Sequence, residues 1–319
     1  MPATSPSVLI VRLDAIGDAL ALTPLIAALR ASGARVDAVL SRVNAQAFAK
    51  RSLDRVYLAG SPGLTEALRA QHYTHALIAT EDAAGYRIAR DARVPVRVGF
   101  QNGWGKPLKS LWVRTLCTEV VYRPAGLDPR GRHECSVLFE LGRAIVGRSA
   151  RPARTAAVLR PLVLDEEPAS DTRLAIQVTS KWLRLGGTLD ELADLARRAG
   201  SIRPIRAFGA MHEADFADAF ERASGHPVER FANTTEWKAA IAAAPVLIAP
   251  DSGALHVAGM TGTPVVAAFA SNAAFPLQTA RWSPWAAPHA LIRLDGAWPT
   301  VAADAAGELL SGNRAPYRG

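Results

Sequence analysis

Short apolar runs alternate with amphipathic stretches along the whole chain. Val8-Leu-Ile-Val-Arg-Leu13 is apolar on both faces but for one arginine and reads as a buried strand. Val36–Leu40, Asp54–Leu58, His75–Ala79 and Val96–Phe100 repeat that pattern. Between them, Asp14–Asp18 reads as a loop. Ala19–Arg30, with Pro24 early and Gly33 just past its end, reads as a helix. Asn44–Lys50, Leu64–Ala70 and Gly85–Arg90 are also helical in pattern. Strands alternating with helices predict a parallel sheet covered on both faces.

His133–Gly147 has the spacing of one amphipathic helix, and Arg148–Asp171, rich in proline, arginine and acidic residues, reads as a linker. A second alternating set follows. Leu174–Val178, Ile205–Phe208, Ala244–Ile248, Pro264–Phe269 and Leu291–Leu294 read as strands. Leu189–Ala199, Glu213–Ala223, Thr235–Ala243 and Ala302–Leu310 read as helices. The expected architecture is α/β: two doubly wound, Rossmann-like domains, residues 1–160 and 161–319, with an interdomain cleft. The last helix could pack back on the first domain. Clefts of this kind favour ligands.

Composition narrows the class. The chain has 319 residues, nearly half of them hydrophobic, enough for two real cores. Two cysteines, Cys117 and Cys135, cannot make a disulfide framework or a zinc ribbon, so a reducing compartment is expected. Met1–Ser7 lacks the basic start of a secretory signal, and no run of eighteen apolar residues occurs. A cytoplasmic location follows as an expectation.

The net charge of +8 is unevenly spread. Residues 1–160 carry 23 Lys and Arg against 12 Asp and Glu; residues 161–319 carry 14 against 17. A surplus of positive charge on one half suits a phosphorylated substrate or an anionic membrane surface. Arg12, Arg87, Arg90 and Lys106 are the candidate acceptor-side cations, with Tyr86, Arg97 and Lys109 near them in sequence. Nucleic acid is not expected as a partner. The arginines are scattered, aromatics do not interleave with them, and no nucleic-acid-binding motif is present.

Two turns carry the chemistry. Ala249-Pro-Asp-Ser-Gly-Ala-Leu-His256 joins an apolar strand to a small-residue helix. Free N–H groups and the positive helix end there suit a nucleotide diphosphate. Ser252 or Asp251 could equally cap the helix, Gly253 permits close backbone approach, and His256 could be a packed histidine. The other turn is Arg12-Leu-Asp-Ala-Ile-Gly-Asp18. With one glycine it is not a dinucleotide fingerprint, which argues against a dehydrogenase. Asp18 could cap a helix or act as a general base at a strand end. His72-Tyr-Thr-His75 and His133-Glu-Cys135 lack a third ligand set and read as structural, so no metal and no cofactor is expected.

Together, Arg12-Leu-Asp-Ala-Ile-Gly-Asp-Ala-Leu20 with Thr23-Pro24, and Asp251-Ser-Gly-Ala-Leu-His256 with Gly262-Thr-Pro264, resemble glycosyltransferase family 9, the heptosyltransferases of lipopolysaccharide-core assembly. The resemblance covers nearly the whole chain, domain order included. It implies a GT-B fold and inverting, metal-independent transfer. The implied donor is a nucleotide sugar, usually ADP-heptose, and the implied acceptor is a lipid-linked or phosphorylated glycan. Asp18 matches the family's catalytic base, and Asp251, Ser252, Gly253 and His256 match its donor-binding turn. Thr179-Ser-Lys-Trp-Leu-Arg184 falls where the family places a hydroxyl pair and a cation by the diphosphate. The usual lysine followed by Arg/His-Trp-Pro is absent: Arg184 fits the spacing and Lys181-Trp182 fits the residue pair. Glu213, in Phe208-Gly-Ala-Met-His-Glu213, resembles the ribose-binding glutamate. A sugar-nucleotide epimerase or hydrolase on the same frame, and a non-catalytic nucleotide-sugar-binding protein, are the alternatives.

Overall fold

The computed structural model describes residues 5–312; of the segment Met1–Ser7 discussed above, residues 1–4 lie outside the described residues. The chain divides into two compact units, one of residues 1–154 with 161–165 and the other of 155–160 with 166–319.

The first unit is built on strands β1 (Ser7–Arg12), β2 (Arg35–Leu40), β3 (Arg55–Leu58), β4 (His75–Ile78), β5 (Val96–Gln101) and β6 (Glu119–Tyr122). They form one parallel sheet in the order β3-β2-β1-β4-β5-β6. Its helices are α1 (Ile16–Leu20), α2 (Thr23–Ala31), α3 (Leu64–Arg69), α4 (Ala83–Asp91), α5 (Pro107–Leu116), α6 (Glu134–Phe139) and α7 (Arg143–Val146). Val8–Val11 are wholly buried, as a central parallel strand covered on both faces requires.

The second unit holds strands β7 (Leu174–Gln177), β8 (Ile205–Ala210), β9 (Val228–Phe231), β10 (Leu247–Pro250), β11 (Val265–Ala270) and β12 (His289–Leu294). The parallel order β12-β11-β10-β7-β8-β9 repeats the first sheet's topology. Its helices are α8 (Ala156–Leu159), α9 (Lys181–Arg184), α10 (Leu189–Ile202), α11 (Ala214–Ser224), α12 (Thr234–Ala243), α13 (Gly253–Thr261), α14 (Phe275–Trp282) and α15 (Trp298–Leu310).

Several elements differ from the sequence pattern for identifiable reasons. The helix expected over 19–30 is two helices, and part of the expected loop 14–18 is α1. Pro24 falls in the first turn of α2, where its missing N–H costs nothing, and the Thr23 hydroxyl donates to Leu20 O at 2.6 Å, closing α1. The single helix expected over 133–147 breaks into α6, a 3-10 turn at Glu140–Gly142, and α7. A Cβ on Gly142 would lie 2.5 Å from Leu25 Cδ1, so the glycine lets the break approach α2. In the expected linker, α8 packs on α13, and Arg160 donates to Thr261 O (2.8 Å) and Ala242 O (3.1 Å). One guanidinium thus satisfies carbonyls at two helix C-termini. The closing helix α15 lies on α10, β11 and β12, within the second unit's own core. The pattern did not announce α5, β6, β9 or α14. Among the described residues, no helix is long and apolar enough to cross a membrane.

Candidate functional site

Both sheets have their topological switch at the centre, between β1 and β4 and between β7 and β10. The loops leaving such a pair diverge and open a crevice at the strands' carboxyl ends. The sequence-selected turns occupy these two places.

In the first unit the switch is tied by Arg12, the last residue of β1, which is 2% exposed. Its Nη1 donates to Ala79 O just beyond β4. Its Nη2 lies 3.1 Å from Asp18 Oδ1, and its Nε lies 3.2 Å from Asp14 Oδ2, an ion pair without hydrogen-bond alignment. The other Asp18 oxygen accepts from Ala15 N–H at 3.3 Å. Asp18 occupies the third position of α1, where the helix end favours its charge. Its side chain remains 28% exposed, so a fixed carboxylate faces solvent. The sequence reading put Arg12 on the acceptor side; the structure gives its guanidinium to Ala79, Asp14 and Asp18.

Arg87 and Arg90 are exposed on α4, and Arg90 pairs with Asp91 at 2.9 Å. Lys106 meets Glu81, which also takes Lys109 (3.1 Å each) and Arg123 (3.7 Å). Burial would raise the Glu81 pKa, but these cations outweigh it and hold the carboxyl below its usual range. Sequence reasoning missed Glu81. His133 Nδ1 accepts from Cys135 N–H at 3.1 Å and caps α6, so its role is structural.

In the second unit the site begins where β7 ends. Trp182 anchors α9: it stacks on Trp298 at 5.2 Å and donates to Gln177 O at 2.8 Å. Glu213 stands at the start of α11 yet does not cap it; it reaches across to Ser180 instead. There Glu213 Oε1 accepts from the Ser180 amide (2.9 Å) and hydroxyl (2.5 Å). Burial would raise its pKa, but the hydroxyls of Ser180 and Thr179 and the Ser180 amide hold it below the ordinary carboxylate value. A Cβ on Gly209 would meet Val178 O at 2.8 Å, so this close approach of β8 requires glycine.

Lys181 Nζ lies 3.8 Å from Asp251 Oδ2, joining the β7 turn to the β10 turn. Arg184 is exposed, with no ion pair among the described residues. Beyond Asp251, α13 starts at Gly253 with no side-chain cap and no acid in its first turn. The Ser252 hydroxyl is buried and meets no hydrogen-bond partner among the described residues. An uncapped nine-residue helix, an unsatisfied hydroxyl and a nearby lysine have the chemistry that suits an anion. His256, 8% exposed, packs edge-on to Trp282 at 5.6 Å and helps fix the first turn of the helix. The structure thus brings together Thr179, Ser180, Lys181, Glu213, Asp251, Ser252 and Gly253. Among the described residues, no group of three or more His, Cys, Asp or Glu is arranged to hold a metal ion.

No protein-family model matches the sequence, and no curated protein matches it. Solved structures do match. A glycosyltransferase family 9 protein from Veillonella parvula is 15% identical, with TM-score 0.73 over 98% of this chain and 99% of its own. The E. coli heptosyltransferase WaaC with ADP is 17% identical, with TM-score 0.70 over 96% of this chain and 99% of its own. The E. coli ADP-heptose lipopolysaccharide heptosyltransferase II is 15% identical, with TM-score 0.67 over 96% and 98%. At these identities the likeness establishes the fold: two Rossmann-like units of GT-B type.

Proposed function

We propose that this protein is an inverting glycosyltransferase of the family 9 type. It moves a heptose, or a related sugar, from ADP-heptose to a lipopolysaccharide-core or similar glycan, without a metal ion. The observation that carries this proposal is the uncapped start of α13, with the unsatisfied Ser252 hydroxyl beside the Lys181–Asp251 pair. The E. coli relative that carries ADP has the same fold.

Asp18 accepts the proton of an acceptor hydroxyl. The hydroxyl oxygen forms its bond to the anomeric carbon from the face opposite the nucleotide, and the bond from that carbon to the diphosphate oxygen breaks. The leaving diphosphate gathers negative charge, which the α13 amides and Lys181 stabilise. Lys181 is the better assigned cation because it adjoins Asp251, whereas Arg184 stands exposed. Glu213 orients Ser180 and Thr179 and, through them, the turn that faces the nucleotide. The surplus of positive charge on residues 1–160 suits a phosphorylated, lipid-linked acceptor at the cytoplasmic face of an anionic membrane.

The test is transfer from ADP-heptose to a purified core acceptor, with wild type and Asp18→Asn in parallel. The expected result is product of inverted configuration, with roughly 10²-fold or greater loss in the variant. Donor breakdown without acceptor would identify a hydrolase or epimerase instead. Donor binding with no turnover would identify a binding protein.

A further inference from the structure

The three most exposed large apolar side chains among the described residues are Trp104 (96%), Leu108 (83%) and Leu111 (66%). All belong to one short segment. Trp104 lies in a 3-10 turn, Gly103–Gly105, that leads into α5. Leu108 and Leu111, three apart, share one helix face. The opposite face of α5 buries Ser110, Val113 and Leu116 against the sheet. The Ser110 hydroxyl joins the turn to the helix: it accepts from Asn102 N–H (3.1 Å) and lies within bonding distance of Gly103 O (3.1 Å) and Lys106 O (2.9 Å). The apolar surface is therefore presented by an anchored element. Half-exposed Tyr122 extends it beside Gly103.

Charge surrounds this surface. Residues 103–119 contain Lys106, Lys109 and Arg114 against Glu119 alone, while Arg123 beyond them is buried and paired with Glu134 at 2.9 Å. Lys106 and Lys109 share one carboxylate, Glu81, and so keep excess positive charge. Apolar side chains led by a tryptophan and rimmed by cations match the interfacial zone of a bilayer with anionic headgroups. The ten-residue α5 is far too short to span a bilayer and would lie in its surface plane.

We infer that Trp104, Leu108 and Leu111, with Lys106 and Arg114 beside them, form a docking edge that inserts shallowly into an anionic lipid leaflet. The inference deepens the proposed function, on which it rests for the membrane-bound acceptor. It adds an apolar wedge to what would otherwise be attraction by charge alone.

The experiment is co-sedimentation of the full chain with vesicles of phosphatidylcholine alone and of phosphatidylcholine mixed with phosphatidylglycerol. Wild type is compared with Trp104→Ser/Leu108→Ser/Leu111→Ser and with Lys106→Glu/Arg114→Glu; ADP titration of each separately reports the nucleotide site. Wild type should bind the mixed vesicles far better than the neutral ones. Both variants should lose roughly tenfold or more in partitioning while binding ADP as wild type does. The single variant Trp104→Phe should reduce tryptophan quenching by brominated lipid. Full vesicle binding by the triple variant would overturn the inference. So would a wild type that ignores anionic vesicles, or one that self-associates through these side chains without lipid. Loss of ADP binding in wild type would instead count against the proposed function and leave the vesicle result to be read independently.

Discussion

Replacing Arg12 should damage stability and turnover together, and the structure sets the size of both effects. Its guanidinium serves three acceptors from a site that is 2% exposed. In Arg12→Met, Ala79 O at the switch point loses its donor, at about 1–3 kcal/mol for a buried carbonyl. The two ion pairs add about 0.2–1 kcal/mol each, because Asp14 and Asp18 are 33% and 28% exposed and solvent screens them. The expected total is about 1.4–5 kcal/mol, read as a lower urea midpoint for the first unit. Arg12→Lys keeps the charge but not the planar fork, so one ammonium cannot serve three acceptors arranged around a guanidinium. Asp18 then loses the contact that fixes Oδ1. A misplacement of about 1 Å costs roughly 10²-fold in kcat. KM for the donor should stay unchanged, since the proposed donor turn belongs to the other unit. Steady-state transfer assays at saturating donor would measure this. Wild-type kcat in a folded Arg12→Lys would refute the positioning role, and a rise in donor KM alone would refute its assignment to the proton-accepting side.

Three further outcomes follow from the second unit. Glu213→Gln removes a charged acceptor from the Ser180 amide and hydroxyl and should weaken ADP binding roughly tenfold in calorimetry. Asp171 is held at about 2, against an ordinary 3.8, chiefly by hydrogen bonding to Arg173. A carboxyl whose folded pKa is depressed stabilises the fold above its unfolded value, and that stability is lost as pH falls from about 4 towards 2. Urea midpoints of wild type should fall across that window, and those of Asp171→Asn should start lower and fall less. Gly259→Ala should destabilise by about 1–3 kcal/mol, because its Cβ would meet backbone at Trp285 N (2.9 Å) and Pro284 Cα (3.1 Å). A thermal melt would measure that cost.

The strands and most helices of both sheets were legible because buried parallel strands announce themselves as apolar runs. Elements whose pattern is mixed were not. Helix α5 was hidden because Leu108 and Leu111 face solvent while Ser110 joins Val113 and Leu116 on the buried face, which blurs the amphipathic pattern. The breaks at Thr23–Pro24 and Gly142 depend on contacts with Leu20 and Leu25, which local periodicity does not encode. Within the candidate site, the motifs fall on the two turns at the sheets' switch points. The reach of Arg12 across to Ala79, of Glu213 to Ser180 and of Lys181 to Asp251 depends on strand order. Pairs separated by 67, 33 and 70 positions come together only once β1 adjoins β4, and β7 adjoins β8 and β10. For the same reason sequence left Lys181 and Arg184 open; in the fold Lys181 lies 3.8 Å from Asp251 and Arg184 is exposed, and the choice of Lys181 belongs to the proposed function.

The most direct measurement is calorimetric titration with ADP, UDP and GDP in the presence of a chelator, using wild type and Lys181→Ala. The account predicts binding of ADP in preference to the other two, without metal, weakened roughly tenfold or more by the substitution. Equal binding by a folded Lys181→Ala, or no nucleotide bound by wild type, would contradict it.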